Sequence, residues 1–127
     1  MKLRILHHDH CFDGFASAAV FSRFYREKVN QDAEIAYTGL AHKPNQKLIE
    51  EELFDGDENA IVDFKYSPSS RLTWWFDHHQ SAFLSPEDEN HFRRGTWPAK
   101  FYDPSYKSCT KLIADTAATR YGFVHDL

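Results

Sequence analysis

Along the chain, hydrophobic positions repeat with two different periods, and the changes of period mark its elements. Lys2–Leu6 is a short apolar-rich run that reads as a strand. From Asp13 to Tyr25 the period lengthens. Ala16, Val20 and Phe24 recur every four residues, and Phe15 and Ala19 widen the stripe, so a helix is expected. Glu34–Thr38 alternates weakly, as a second strand would. Gln46–Phe54 reads as a short charged helix stopped by Asp55-Gly56-Asp57. Ala60–Phe64 is an apolar run between turn signals, the pattern of a buried parallel strand. Ser67–Ser70 is a loop or a helix start, and Leu72–Phe76 is a strand that ends at Asp77. Ser81–Pro104 is irregular and reads mostly as loop, with a short strand at Phe101-Tyr102. Ser108–Tyr121 is helical, with Cys109, Leu112, Ile113, Thr116 and Ala117 on one stripe and Gly122 as the stop.

Strands alternating with helices predict an α/β fold: a three-layer domain with a mostly parallel sheet, right-handed crossovers and helices flanking it. The 127 residues suit one domain. No apolar run approaches the roughly 18–20 residues of a membrane span, and the apolar start breaks off at His7 and His8, so no signal peptide is read. Cys11 and Cys109 lie far apart, which favours reduced thiols in a cytoplasmic protein. The net charge of −4 argues against a large basic face for long nucleic acid. It leaves room for a small nucleotide, because a bound divalent ion reverses the local sign.

His8, Asp13, Asp63, Asp77, His78 and His79 each follow or close an expected strand. Ligands of open α/β sheets bind outside the carboxyl ends of the strands, so three strands deliver carboxylates and imidazoles to one edge. That mixture suits Mn²⁺, Fe²⁺ or Zn²⁺ and points to metal-assisted hydrolysis. Two ions about 3.5–4 Å apart can share one carboxylate and activate water, and Asp63 is the residue expected to bridge them. The helix opening at Asp13-Gly14 would turn its positive end toward the same anion. Taken singly, each feature also fits an ordinary cap, turn or surface histidine. His7-His8-Asp9-His10 fits a solvated strand end, and the cysteines fit small buried hydrophobes.

Together these residues resemble the DHH phosphoesterase superfamily. Asp77-His78-His79 after a strand matches its name-giving motif, Asp63 in Ile61-Val62-Asp63-Phe64 its second motif, and His8–Gly14 its first. The resemblance covers roughly the first 80 residues. It implies a usually manganese-dependent phosphohydrolase with two ions. His8, Asp13, Asp63 and His78 would be ligands, His79 would contact the scissile phosphate, and Asp77 would orient a histidine. Cys11 stands where many members have a ligand aspartate, which adds Cys11 to the candidate ligands and opens the site to Zn²⁺ or Fe²⁺. A fourth acidic motif and a second, substrate-binding domain normally follow. Asp103, Asp115 and Asp126 are the later acids, and none matches that motif. The chain is therefore expected to be the incomplete N-terminal domain of such an enzyme, weakly active by itself. The substrate would be a phosphate-containing small molecule, polyphosphate or a short oligonucleotide, and a homodimer is allowed. Two other readings stand beside it: a non-catalytic metal-binding module, and a plain α/β domain with incidental histidines.

Overall fold

A computed structural model describes residues 1–9, 11–43, 46 and 48–124. His10 and Asp126, both weighed above, lie outside the described residues. Five strands form one sheet: β1 (Lys2–His8), β2 (Glu34–Leu40), β3 (Glu58–Val62), β4 (Trp74–Asp77) and β5 (Lys100–Tyr102). Their order is β2-β1-β3-β4-β5 and every pairing is parallel. Three helices accompany them: α1 (Phe12–Lys28), α2 (Pro86–Arg94) and α3 (Cys109–Tyr121). The fold is α/β, with the bounds of the expected strands moved by one or two residues.

Strand β1 lies between β2 and β3, and the chain winds outward from it in opposite directions, to the edge strand β2 on one side and to β3, β4 and β5 on the other. The order therefore reverses between β1 and β3. Their register pairs His7 with Val62, so His8 and Asp63 emerge side by side where a doubly wound sheet opens a crevice.

Alternation along the strands builds a core on each face. On one face Leu3, Ile5, Val62, Trp74 and Phe76 pack against Phe21 and Phe24 of α1 and Leu112, Ile113 and Ala117 of α3. On the other, Leu6, Ile61 and Trp75 pack with Phe54, Phe64, Tyr66 and Leu72, and Phe92 of α2 rests on them. Glu58, Tyr25 and Trp74 meet at the first core's edge, where Tyr25 Oη and Trp74 Nε1 each donate to Glu58 Oε1 at 2.9 Å.

Several expectations are corrected. Gln46–Phe54 is not a helix: it holds only a 3₁₀ turn at Glu51–Leu53, and Lys47 lies outside the described residues. Ile49 and Phe54 are both buried, so that segment is pinned at two points rather than along a helical stripe. The stretch read as loop contains α2. Ser85 caps it by accepting from Asp88 N–H at 3.1 Å, Pro86 sits in the first turn, acids start it and bases end it. Ser67–Ser70 takes the loop form, one of the two expected for it. On α1, Phe15 and Ala19 are exposed, and the buried face instead includes Gly14, Ser17, Ala18, Phe21 and Tyr25. The small residues there let the helix approach the sheet. A Cβ on Gly14 would stand 2.0 Å from the His8 carbonyl oxygen. Helix α3 closes as expected, with Ser108 accepting from Lys111 N–H and Gly122 left-handed at φ 69°. No helix among the described residues is long and apolar enough to cross a membrane.

Candidate metal centre

Strand β1 ends in His8, and Cys11 follows as the residue before α1. Asp63 follows β3, and Asp77 closes β4 ahead of His78 and His79. Parallel pairing gathers these ends into two donor groups. His8, Cys11 and Asp63 offer ligand atoms within 4.8 Å of one another, and so do Asp63, Asp77, His78 and His79. Asp63 belongs to both.

The surroundings of Asp63 are unusual. It is 1% exposed, and neither carboxylate oxygen has a hydrogen-bond partner among the described residues. Imidazole nitrogens approach it instead: His78 Nε2 at 3.3 Å, His79 Nδ1 at 3.9 Å and His8 Nδ1 at 4.0 Å. Its backbone is left-handed at φ 58°, the only positive φ of a non-glycine residue among the described residues. That conformation is one aspartate tolerates better than most, and strain of this kind gathers at functional sites. Burial, and then the nearby charge of Asp13, push its carboxyl up to about 6.

Asp77 is fully buried and works through its neighbour: His79 Nδ1 lies 2.6 Å from Asp77 Oδ1. This hydrogen bond raises the His79 pKa against the opposing effect of burial. It holds the Nδ1 proton toward Asp77 and leaves Nε2 as the other ring nitrogen, an acceptor in the neutral ring and a donor in the imidazolium that Asp77 favours. Tyr102 Oη donates to the His79 carbonyl at 2.8 Å and steadies the same turn. His78 is held from its other side, with Nδ1 2.9 Å from the Tyr106 carbonyl, which leaves Nε2 for the cluster.

Asp13 sits at the rim. Its Oδ2 lies 3.4 Å from His78 Nε2, yet both oxygens already accept hydrogen bonds from the start of α3. The donors are Cys109 N–H at 2.7 Å, Thr110 N–H at 3.0 Å and Thr110 Oγ1–H at 2.6 Å. Burial would raise its carboxyl, but these bonds outweigh it and the pKa is lowered. Asp13 joins neither donor group, so its first visible task is to tie α1 to α3.

The donor set fits a divalent transition ion. It combines carboxylate, imidazole and a thiol, with Asp63 oxygens buried and free of hydrogen bonds, as ligand atoms need to be. Cys11 is half-buried and within reach. Cys109 is fully buried, its thiol pushed well up by burial, and its Sγ–H donates to the Phe76 carbonyl at 3.3 Å, so it is an inert core residue.

No family model matches the chain, and neither does any curated protein or solved structure.

His42 escaped the sequence reading. It follows β2, stacks on Phe64 at 4.7 Å, and stands edge-on to His8 at 4.5 Å, with His79 at 6.2 Å. Burial lowers its pKa, and the charges of His8 and Lys65 lower it further. It is thus a neutral imidazole overhanging the cluster. His7, by contrast, turns away from it, resting on Phe15 at 5.2 Å.

Proposed function

We propose that the chain is the metal-binding part of a DHH-type phosphoesterase. It would hydrolyse phosphodiester or phosphoanhydride bonds in short oligonucleotides, nucleotides or polyphosphate, in the cytoplasm and with Mn²⁺ as the resident ion. The observation that carries this reading is Asp63: one strained, buried carboxylate shared by two donor groups, with both oxygens free of hydrogen bonds. A single-ion structural site does not need a shared residue, and two ions about 3.5–4 Å apart do.

His8 and Cys11 would hold one position, His78 the other, with Asp63 between them. Ions there supply Lewis acidity and neutralise charge on a phosphoryl group. His79, whose imidazolium form the bond to Asp77 favours, would donate from Nε2 to a phosphoryl oxygen or to a leaving group. The amino end of α1, beside Cys11, adds N–H groups that favour an anion. The Cys11 thiolate makes Zn²⁺ and Fe²⁺ the alternatives to Mn²⁺ at this site.

A second reading, a non-catalytic module holding one ion, draws support from Asp13, whose lone pairs are already engaged by α3. One experiment separates the two. The chain is assayed for hydrolysis of bis-p-nitrophenyl phosphate and a short oligonucleotide with Mn²⁺ or Zn²⁺, beside Asp63→Ala and His78→Ala. Phosphoesterase activity should vanish in both variants while their circular dichroism stays native. Unchanged turnover in either variant rejects the enzyme reading, and calorimetric binding of one ion without turnover selects the module.

A further inference from the structure

Lys100 opens β5 and is 8% exposed, the only lysine in the buried set among the described residues. It forms no ion pair with a carboxylate among the described residues. Its Nζ lies 3.7 Å over the Trp97 ring, 5.1 Å from the Tyr66 ring centre and 3.3 Å from Tyr66 Oη. Tyr66 Oη in turn is 2.7 Å from His91 Nδ1, and the His91 ring stacks on Trp97 at 5.2 Å. Tyr66 is fully buried, whereas His91 reaches partial exposure. A lysine ammonium only donates, so Tyr66 accepts from Lys100 and directs its own proton toward His91 Nδ1 where that nitrogen is the ring's acceptor. The result is a hydrogen-bonded chain from a buried amine to solvent. A cavity of about 260 Å³, lined by Ser69, Leu72, His91, Trp97 and Lys100 among others, opens on the same amine.

We propose that Lys100 is a carbonyl-reactive amine that captures a small aldehyde or ketone from this cavity as an imine. The Nζ lone pair forms the new C–N bond while the carbonyl π pair moves to oxygen. Both amine protons then leave with that oxygen as water, and nothing is oxidised or reduced. Before attack, the ammonium proton departs through Tyr66 to His91. Charged groups among the described residues that lie near this cluster include Asp88 and Arg93 of α2, Asp103, and Arg120 of α3, and Arg93 is paired with Glu89. Burial pushes the Lys100 amine down to about 8. At pH 7 such an amine is about one-tenth free base, against about one part in 2,500 for an ordinary lysine. This site shares no residue with the metal centre and does not depend on its function.

The test is reductive trapping of the full chain at pH 7 with limiting formaldehyde and cyanoborohydride, mapped by mass spectrometry at each lysine. Lys100 should be modified about tenfold or more faster than the exposed Lys2 and Lys111, given its larger free-base fraction. Lys100→Arg should erase that signal, and Tyr66→Phe should slow it severalfold while Lys111 reacts as before. Modification of Lys100 no faster than Lys111, or only after denaturation, overturns the proposal. An unchanged Lys100 rate in Tyr66→Phe overturns the proton route.

Discussion

Replacing Asp63 with asparagine keeps the shape of the side chain, tolerates the left-handed backbone, and removes the charge. In the metal-free protein that charge is a burden. Burial first, then Asp13, raises the carboxyl from 3.8 to about 6. A raised carboxyl binds its proton more tightly in the folded state than in the unfolded one. Stability therefore falls as pH rises between those two values, and the loss is complete above the folded value. Two pKa units at about 1.4 kcal/mol each make that loss about 3 kcal/mol near pH 7.5. The amide left in place of the carboxylate also lacks hydrogen bonds, so a net gain of about 1–3 kcal/mol is expected for Asp63→Asn. For a chain of this length that is a rise in Tm of about 3–5 °C per kcal/mol. The assay is thermal and urea unfolding in chelator, from pH 4 to 7.5. The gap between variant and parent should narrow to below about 1 kcal/mol near pH 4, where both forms are neutral. Added Mn²⁺ or Zn²⁺ should then stabilise the parent and leave the variant unmoved. A variant no more stable than the parent in chelator, or a gap that widens as pH falls, would refute the reasoning.

Two more predictions concern the frame around the centre. Asp13→Ala should lower stability in chelator by about 2 kcal/mol, since it strips three hydrogen bonds from the start of α3, and Asp13→Asn should lose less. Urea unfolding with an unchanged slope checks this, and a loss below about 0.5 kcal/mol would show that α3 is held elsewhere. Gly14→Ala should destabilise by about 2 kcal/mol or more despite alanine's better helix propensity, because its Cβ would collide with the His8 carbonyl. A stable Gly14→Ala chain with native metal affinity would mean that α1 can shift without disturbing His8.

The sequence reading succeeded where local pattern and tertiary need coincide. Ser108 and Gly122 frame α3 by local chemistry, and the strand ends at His8, Asp63 and Asp77 carry polar groups straight out of apolar runs. It failed on α2 because that helix has little apolar stripe to count. Its evidence lies in the Ser85 cap, the proline and the order of charges, and Phe92 supplies its main hold on the core. On α1 the wide stripe misled, since a helix seated on small residues turns Phe15 outward. His42 was invisible for another reason. It joins the centre only because β2 lies beside β1, a fact of strand order that no local window contains. The bond from Asp13 to Thr110 spans 97 positions and was equally out of reach.

That long bond also sets an order in time. The donor atoms of the centre all lie within the first 79 residues, but the groups that aim one of them, and that fix Asp13 at the rim, come much later. Tyr106 orients His78, and Cys109 with Thr110 fixes Asp13. A chain emerging from the ribosome thus displays its histidines and carboxylates before it can hold them in register. An ion arriving early meets a loose chelator, and one arriving after α3 has docked meets a shaped site. Any ion selectivity of the candidate centre would accordingly depend on α3 having docked.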